Sequence, residues 1–526
     1  MGMKNQKSQI VKNVGSSWVA LAVNVLVGIL LSPFIVHRLG DAAFGIWILI
    51  FSITGYYGLF DLGIRSSIVR FVSKYTATNE TEKLARQINT SLFTYSVTGL
   101  LAMAMTLVLT VFVDRIFKIP PAMQSQARWL MLMAGGSVAL GFPFGVFGGI
   151  LDGLQRFYVT NWTGILSTVL RAALIVYALS RGYGLLTIAL ITVSLPILTS
   201  IARAIIVFRL LPVPLGLKYV DRESFRQMAH YSGTTLMVII GARLRFRTDE
   251  MVLANMISTT AVTFFTVGAR LVDYSQEVVA SLAQIFVPMS SQSEAVGNLE
   301  RVRKIYVAGN RACAFIMFPL ATGLVILGKS VIEVWMGRKY VAVSYPVTLI
   351  LIIPVTLLFM QAASGRILMG MSKHKSLAFV VLLEGIANLI LSIVLVRPYG
   401  IVGDALGTAI PMILTTVFFL PRHMRRQLGV PVWTFLRGAY TLPLLLVAPM
   451  AATLWLLQRW RYAHNWRQLG IQVIVAGLVY GVGLLWAYRT NRAFDVADLS
   501  VPLTSQLPTA EEPPPPVVPA GYGEEG

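Results

Sequence analysis

Five charged residues stand in the middle of an otherwise apolar stretch, Tyr231–Thr259: Arg243, Arg245, Arg247, Asp249 and Glu250. The stretch is long enough to cross a membrane as a helix. Each Arg or acid at the centre of such a helix costs about 2.5–3.5 kcal/mol, so the three arginines need about 8–10 kcal/mol of compensation. Helical spacing puts Arg245 and Asp249 (i, i+4) on one face, where they can pair. It puts Arg243, Arg247 and Glu250 on a nearly opposite face, two cations against one anion. A face with surplus positive charge inside a membrane lines water or meets an anionic ligand. The competing expectation is a surface loop or a fully paired structural ion cluster.

Other charges interrupt apolar runs. Arg270, Asp273 and Glu277 follow i, i+3, i+7 spacing and share a helical face. Arg171 stands alone in one run, Glu384 and Asn388 are four apart in another, and Asp404 lies in a third. Asp273, Glu384 and Asp404 are candidate sites for a coupling cation, a proton or sodium, or else they neutralise arginines across helix interfaces. Asp61 and Arg65 form a further i, i+4 pair at a helix end. The single cysteine, Cys313, and five scattered histidines offer no metal site. No nucleophile motif or Gly-rich phosphate loop is present, so the reading is of a non-enzyme without a cofactor.

The elements that carry these residues follow from composition. Of 526 residues, 56% are hydrophobic and 13% charged, against about 25% charged in soluble domains. Net charge is +21, but the basic residues fall between apolar blocks, which is topology signal and not a nucleic-acid patch. The apolar blocks predict about fourteen transmembrane helices. The first six are Val14–Val36, Ala42–Ile64, Ile88–Val113, Trp129–Leu151, Val159–Leu179 and Tyr183–Phe208. The next six are Tyr231–Met256, Thr260–Val287, Gly309–Val334, Ala342–Leu368, Ser376–Val396 and Ile401–Leu420, followed by Ala439–Leu457 and Leu469–Tyr488. Lys and Arg are about twice as frequent in alternate connections, which places both termini in the cytoplasm. The stretch 491–526, with its EEPPPPVVPAGYGEEG ending, reads as a disordered Pro-rich acidic tail.

Two passages echo each other. Gly153 in GILDGLQRFYVTNW and Gly370 in RILMGMSKHKSL are 217 residues apart, and the Tyr-Gly pairs ending at Gly184 and Gly400 are 216 apart. Upstream, FVSKY from Phe71 matches FVPMS from Phe286, 215 residues on. Six helices per unit is an even number, so the units are parallel repeats, and facing bundles of this kind hold a binding site at their interface. The expected fold is therefore an all-α polytopic membrane protein. It comprises two six-helix bundles (1–215 and 216–428), two additional helices (429–490) and the tail. The same offset puts Arg243, Arg245 and Arg247 opposite Val25, Val27 and Ile29, a cationic cluster in one half where the other is apolar.

The segments LSPFIVHRLGDAAFGIWIL, DLGIRSSIVRFVSKY, GILDGLQRF and VIEVWMGRKYVAVSYPV, in this order, resemble the polysaccharide or lipid-linked oligosaccharide flippases. These belong to the multidrug/oligosaccharidyl-lipid/polysaccharide exporter superfamily. The resemblance covers roughly residues 10–490 and implies alternating-access transfer of a polyprenyl-diphosphate-linked glycan across the cytoplasmic membrane. It implies as partners the bilayer, that glycan and its synthesis and export machinery. It also implies a basic cavity lining, which falls to Arg243 and Arg247 first, then Arg245, with Arg270 and Arg171 in support; guanidinium forks match phosphate oxygens. The alternatives are a cation-coupled multidrug exporter of the same superfamily and a membrane-embedded glycan polymerase or ligase.

Overall fold

The computed structural model describes residues 3–61, 63–211, 213–228, 240–241, 243–245 and 247–490, with side chains from residue 12 onward apart from residue 14. The predicted tail, 491–526, lies outside the described residues, as does most of the apolar lead-in to Arg243. Helices α1 (Met3–Leu39), α2 (Asp41–Gly55), α3 (Ile64–Ala77), α4 (Thr81–Ile116), α5 (Gln124–Gly153), α6 (Phe157–Ser180) and α7 (Leu185–Leu210) make the first half. Then come α8 (Asp249–Met256), α9 (Thr259–Ala283), α10 (Phe286–Ala295), α11 (Leu299–Trp335), α12 (Arg338–Phe359), α13 (Ala362–Gly370) and α14 (Lys375–Leu414). The last three are α15 (Leu420–Leu428), α16 (Val432–Trp460) and α17 (Trp466–Arg489). No strand occurs among the described residues, and eleven helical stretches in them are long and apolar enough to cross a membrane. Leu30, Leu100, Leu166 and Leu478 point outward with 65–72% of their surface exposed, as helices bathed in lipid require.

Several predicted helices are broken where the chain needs another geometry. The predicted helix Ala42–Ile64 ends at Gly55, tightens into a 3-10 turn over Tyr56–Asp61, and turns at Gly63 with φ 75° before α3. A left-handed φ of that kind is inexpensive only for glycine. Predicted Thr260–Val287 divides into α9 and α10, and predicted Ala342–Leu368 into α12 and α13. Predicted Ser376–Val396 and Ile401–Leu420 are the two legs of α14, which reverses at Gly400 (φ 57°, ψ −135°). Gly407 makes the close approach possible: a Cβ there would lie 2.5 Å from the Ser392 backbone nitrogen on the other leg. Most consequential, the helix predicted through Arg243–Glu250 is interrupted by a bend at Arg247 and Thr248.

Hydrogen bonds between the first seven helices and the later ones gather toward one end of the molecule. There Asp41 accepts from Lys339 Nζ (2.9 Å) and Tyr340 (2.5 Å), Trp335 Nε1 donates to the Ile29 carbonyl (2.6 Å), and the Lys118 amide donates to the Ala254 carbonyl (2.9 Å). At Gly45 the helices α2 and α9 touch so closely that a Cβ would sit 1.8 Å from the Thr259 carbonyl oxygen. Gly45→Val should therefore pry this end open. Overpacking costs about 1–3 kcal/mol, enough to shift a two-state equilibrium by about 5- to 150-fold. Spin labels at Arg38→Cys and Arg338→Cys should report a longer mean distance in that variant; an unchanged distribution would mean that the contact does not hold this end shut.

Candidate functional site

The bend at Arg247 and Thr248 sends the charged residues to different places. Before it, Arg243 reaches across to the 3-10 turn of the first half. A Cβ at Gly58 would come within 3.1 Å of its guanidinium, and Tyr56 Oη donates to its carbonyl (3.3 Å) and contacts Thr248 Oγ1 (2.8 Å). No carboxylate lies within ion-pair distance of Arg243 among the described residues. Arg247, 37% exposed, sits 3.8 Å from Glu250, and Arg270 on α9 sits 3.8 Å from Asp273, both beyond a good hydrogen bond. Arg243, Arg247 and Arg270 thus turn partly exposed guanidinium groups toward the seam between the halves.

Arg245 behaves otherwise. Its predicted partner was Asp249, but it pairs with Glu384 on α14, and both side chains are buried. Asn388 Nδ2, one turn further along α14, donates to the Arg245 carbonyl (2.9 Å). The i, i+4 argument assumed a continuous helix, and the bend removes that assumption. Asp249 instead accepts from Thr408 Oγ1 at 3.0 and 3.1 Å. Ser392 Oγ bridges the legs of α14, donating to Asn388 Oδ1 (3.0 Å) and the Asp404 carbonyl (3.3 Å). Asp404 is fully buried, within electrostatic reach of Asp249, and neither of its carboxylate oxygens has a hydrogen-bond partner among the described residues.

The expected surplus of positive charge is therefore smaller than the helix wheel suggests. Asp273 and the exposed Glu277 of α9 act on Arg247 and Arg270, and Glu250 acts on Arg247. What the fold supplies is segregation. Guanidinium groups occupy the accessible side, while Asp249, Glu250, Glu384 and Asp404 are buried behind them. Arg171 lies apart on α6, half-buried, with no hydrogen bond or ion pair among the described residues. The predicted Asp61–Arg65 pair is also rearranged: Arg65 bridges to Asp152 (2.8 Å), and Asp61 accepts from Tyr95. Gly63 breaks the helix that would have aligned the two.

Composition and residue spacing pointed to neither Tyr56 nor the Asp249–Thr408 contact. The usable signal was the pair of i, i+4 polar spacings, Asn388/Ser392 and Asp404/Thr408, on segments that a Tyr-Gly reversal brings face to face. Among the described residues no group of His, Cys, Asp and Glu is arranged to hold a metal ion.

A polytopic helical protein with a charged seam between two helix groups is a membrane transporter fold, and the comparisons agree. The chain superimposes on the lipid II flippase MurJ in an inward closed conformation with a TM-score of 0.70, covering 90% of this chain and 98% of that one at 15% identity. Residues 10–294, more than half of the chain, match the family described as polysaccharide biosynthesis protein, and the chain belongs to that family. It is 23% identical to the membrane protein EpsK of Bacillus subtilis (strain 168), over 81% of this chain and 85% of EpsK. It is 20% identical, over 77% of this chain and 95% of the other, to a Shigella flexneri protein provisionally named an O-antigen transporter.

Proposed function

We propose that the chain is a flippase that turns a polyprenyl-diphosphate-linked oligosaccharide, a precursor of cell-surface polysaccharide, across the cytoplasmic membrane by alternating access. The observation that carries this reading is Arg243, a guanidinium at the seam with no carboxylate partner among the described residues. A diphosphate offers it, with Arg247 and Arg270, charge-assisted bidentate hydrogen bonds. Arg245 is committed to Glu384 and serves the packing of α14; Arg171 is too far from any described partner to be assigned to the same group. Family membership and the names carried by relatives support the substrate class. A multidrug exporter of organic cations would gain nothing from Arg243.

The architecture we propose is fourteen membrane crossings in two like six-helix halves plus α16 and α17. Helix starts support it: α2 and α9, α4 and α11, and α6 and α14 each begin 218 residues apart. Counting both legs of α14, adding α9 despite its charges, and adding the stretch that ends in α8 brings eleven to fourteen. The excess of Lys and Arg on the side of the 153–157 and 371–375 connections places that side in the cytoplasm, so the latched end faces outward. The direct test is reconstitution of the purified chain and measurement of leaflet exchange of defined polyprenyl-diphosphate sugars. No exchange above protein-free vesicles, for any such sugar, would refute the reading.

A proton or a monovalent cation is the proposed driving ion, held at Asp404 and Asp249. Glu384 and Asp273, the other expected coupling residues, already face arginines. Two carboxylates buried without a basic partner cost several kcal/mol each unless a positive charge joins them. Asp404→Asn should leave basal exchange measurable but erase its several-fold acceleration by an imposed proton or sodium gradient in vesicles. Wild-type exchange indifferent to both gradients would sink the coupling proposal while leaving the flippase reading standing.

A further inference from the structure

Away from the arginine seam, the end of the molecule that carries the 78–80 and 211–221 connections holds a cleft of about 700 Å³ between α3, α4 and residues 221–227. Arg70, Lys74, Lys83, Arg86 and Arg226 line it, against Asp221 and Glu223. The acids are already engaged. Asp221 accepts from the Ser224 amide and hydroxyl (both 3.0 Å), contacts that hold its carboxyl below the usual carboxylate range, and Glu223 accepts from Gln227 (3.0 Å). Two of the cations are engaged as well, Lys83 with Glu80 and Arg86 with Glu82. Lys74 and Arg226 have no carboxylate within ion-pair distance among the described residues; Lys74 stands over the Tyr75 ring, 5.5 Å from its centre.

A second cavity of about 380 Å³ shares the Asp221 wall and is almost wholly apolar, lined by Thr90, Phe93, Thr94, Val97, Val220 and Phe225. Phe93 and Val97 are 47% and 41% exposed and belong to the outer face of α4, continuous with Leu100 and Leu101 that face lipid. A basic cleft opening onto an apolar groove at the edge of a membrane helix fits an amphiphile with an anionic head.

We propose that these adjoining cavities are a binding site for an anionic phospholipid of the surrounding leaflet, its phosphate between Lys74 and Arg226 and an acyl chain along Phe93, Val97 and Phe225. The groove selects a lipid over a soluble anion. Its place on the outer face of α4, away from Arg243, Arg247 and Arg270, selects a bilayer lipid over the transported molecule. The site also braces residues 213–228, the connection that leads into the arginine stretch, against α4: Thr90 Oγ1 accepts from the Asp221 amide at 2.9 Å. The inference rests on the chain being a membrane protein and not on what it transports.

The test is native mass spectrometry of the purified full chain titrated with phosphatidylglycerol and, separately, phosphatidylcholine of the same acyl chains. Phosphatidylglycerol should be retained and phosphatidylcholine lost. Lys74→Gln with Arg226→Gln should weaken phosphatidylglycerol about 25-fold, since each basic residue near an anionic surface is worth about fivefold. Lys74→Arg with Arg226→Lys should restore it, which separates lost charge from lost folding. Phe225→Ser should weaken both headgroups alike. Equal retention of the two lipids, or no effect of the Gln pair, overturns the site. Displacement by inorganic phosphate assigns the cleft to a soluble anion, and preferential retention of undecaprenyl diphosphate that the Gln pair abolishes assigns it to cargo; either result overturns the proposal.

Discussion

With Arg243 and Arg247 both replaced by Ala, leaflet exchange of a polyprenyl-diphosphate glycan should fall by about 10²- to 10⁴-fold. Hydrogen bonds to a charged group contribute about 1.5–3 kcal/mol each, and two guanidinium groups facing one diphosphate lose both. The protein should still insert, because Arg243 has no described carboxylate to leave stranded. Arg247 is different: its removal uncovers Glu250, whose neighbour it is at 3.8 Å. Arg243→Ala alone is therefore the cleaner variant, with about 10- to 100-fold loss expected from the same figure. Lys at both positions should recover part of the activity, since charge survives but the planar fork does not. Exchange assays in vesicles with equal protein incorporation decide it. Normal exchange by the double Ala variant would remove the phosphate role from this seam, and faster exchange of an organic cation would favour the multidrug alternative.

The helical membrane architecture was legible because length and charge poverty are read along the chain, and the lipid-facing surface needs nothing more. The breaks inside helices were less visible. Gly63 and Gly400 are the only marks of two reversals, and no residue announces the bend at Arg247 and Thr248 as clearly. Partners were legible only where they are local. Arg270 and Asp273 are three residues apart and meet as expected. Arg245 and Glu384 are 139 residues apart in sequence, and nothing in either neighbourhood names the other. Asp249, the nearer acid, was the wrong choice for that reason. The same limit hid the Asp249–Thr408 contact, which depends on α8 and both legs of α14 converging. Local spacing therefore found which residues carry charge inside the membrane, while tertiary packing decided which of those charges remain available.

Availability is what the second large effect tests. Arg245 is 6% and Glu384 4% exposed, with their carboxylate–guanidinium contact sealed between the arginine stretch and α14. Cutting one partner from a buried ion pair costs about 3–5 kcal/mol, because the survivor keeps its charge without compensation. Glu384→Ala should therefore reduce the folded, monodisperse yield in detergent sharply and lower the thermal midpoint. Arg245→Ala should do the same from the other side. Replacing both by apolar residues of similar volume, Arg245→Met with Glu384→Leu, should recover the thermal midpoint, since such swaps are often neutral or stabilising by about 1–4 kcal/mol. Activity in that double variant is the discriminating reading. If the pair only fastens α14 to the arginine stretch, the restored protein transports its glycan and responds to a gradient as before. If it folds but does not transport, Arg245 meets the cargo at some stage of the cycle. If it transports but no longer responds to a gradient, Glu384 belongs with Asp404 among the coupling groups.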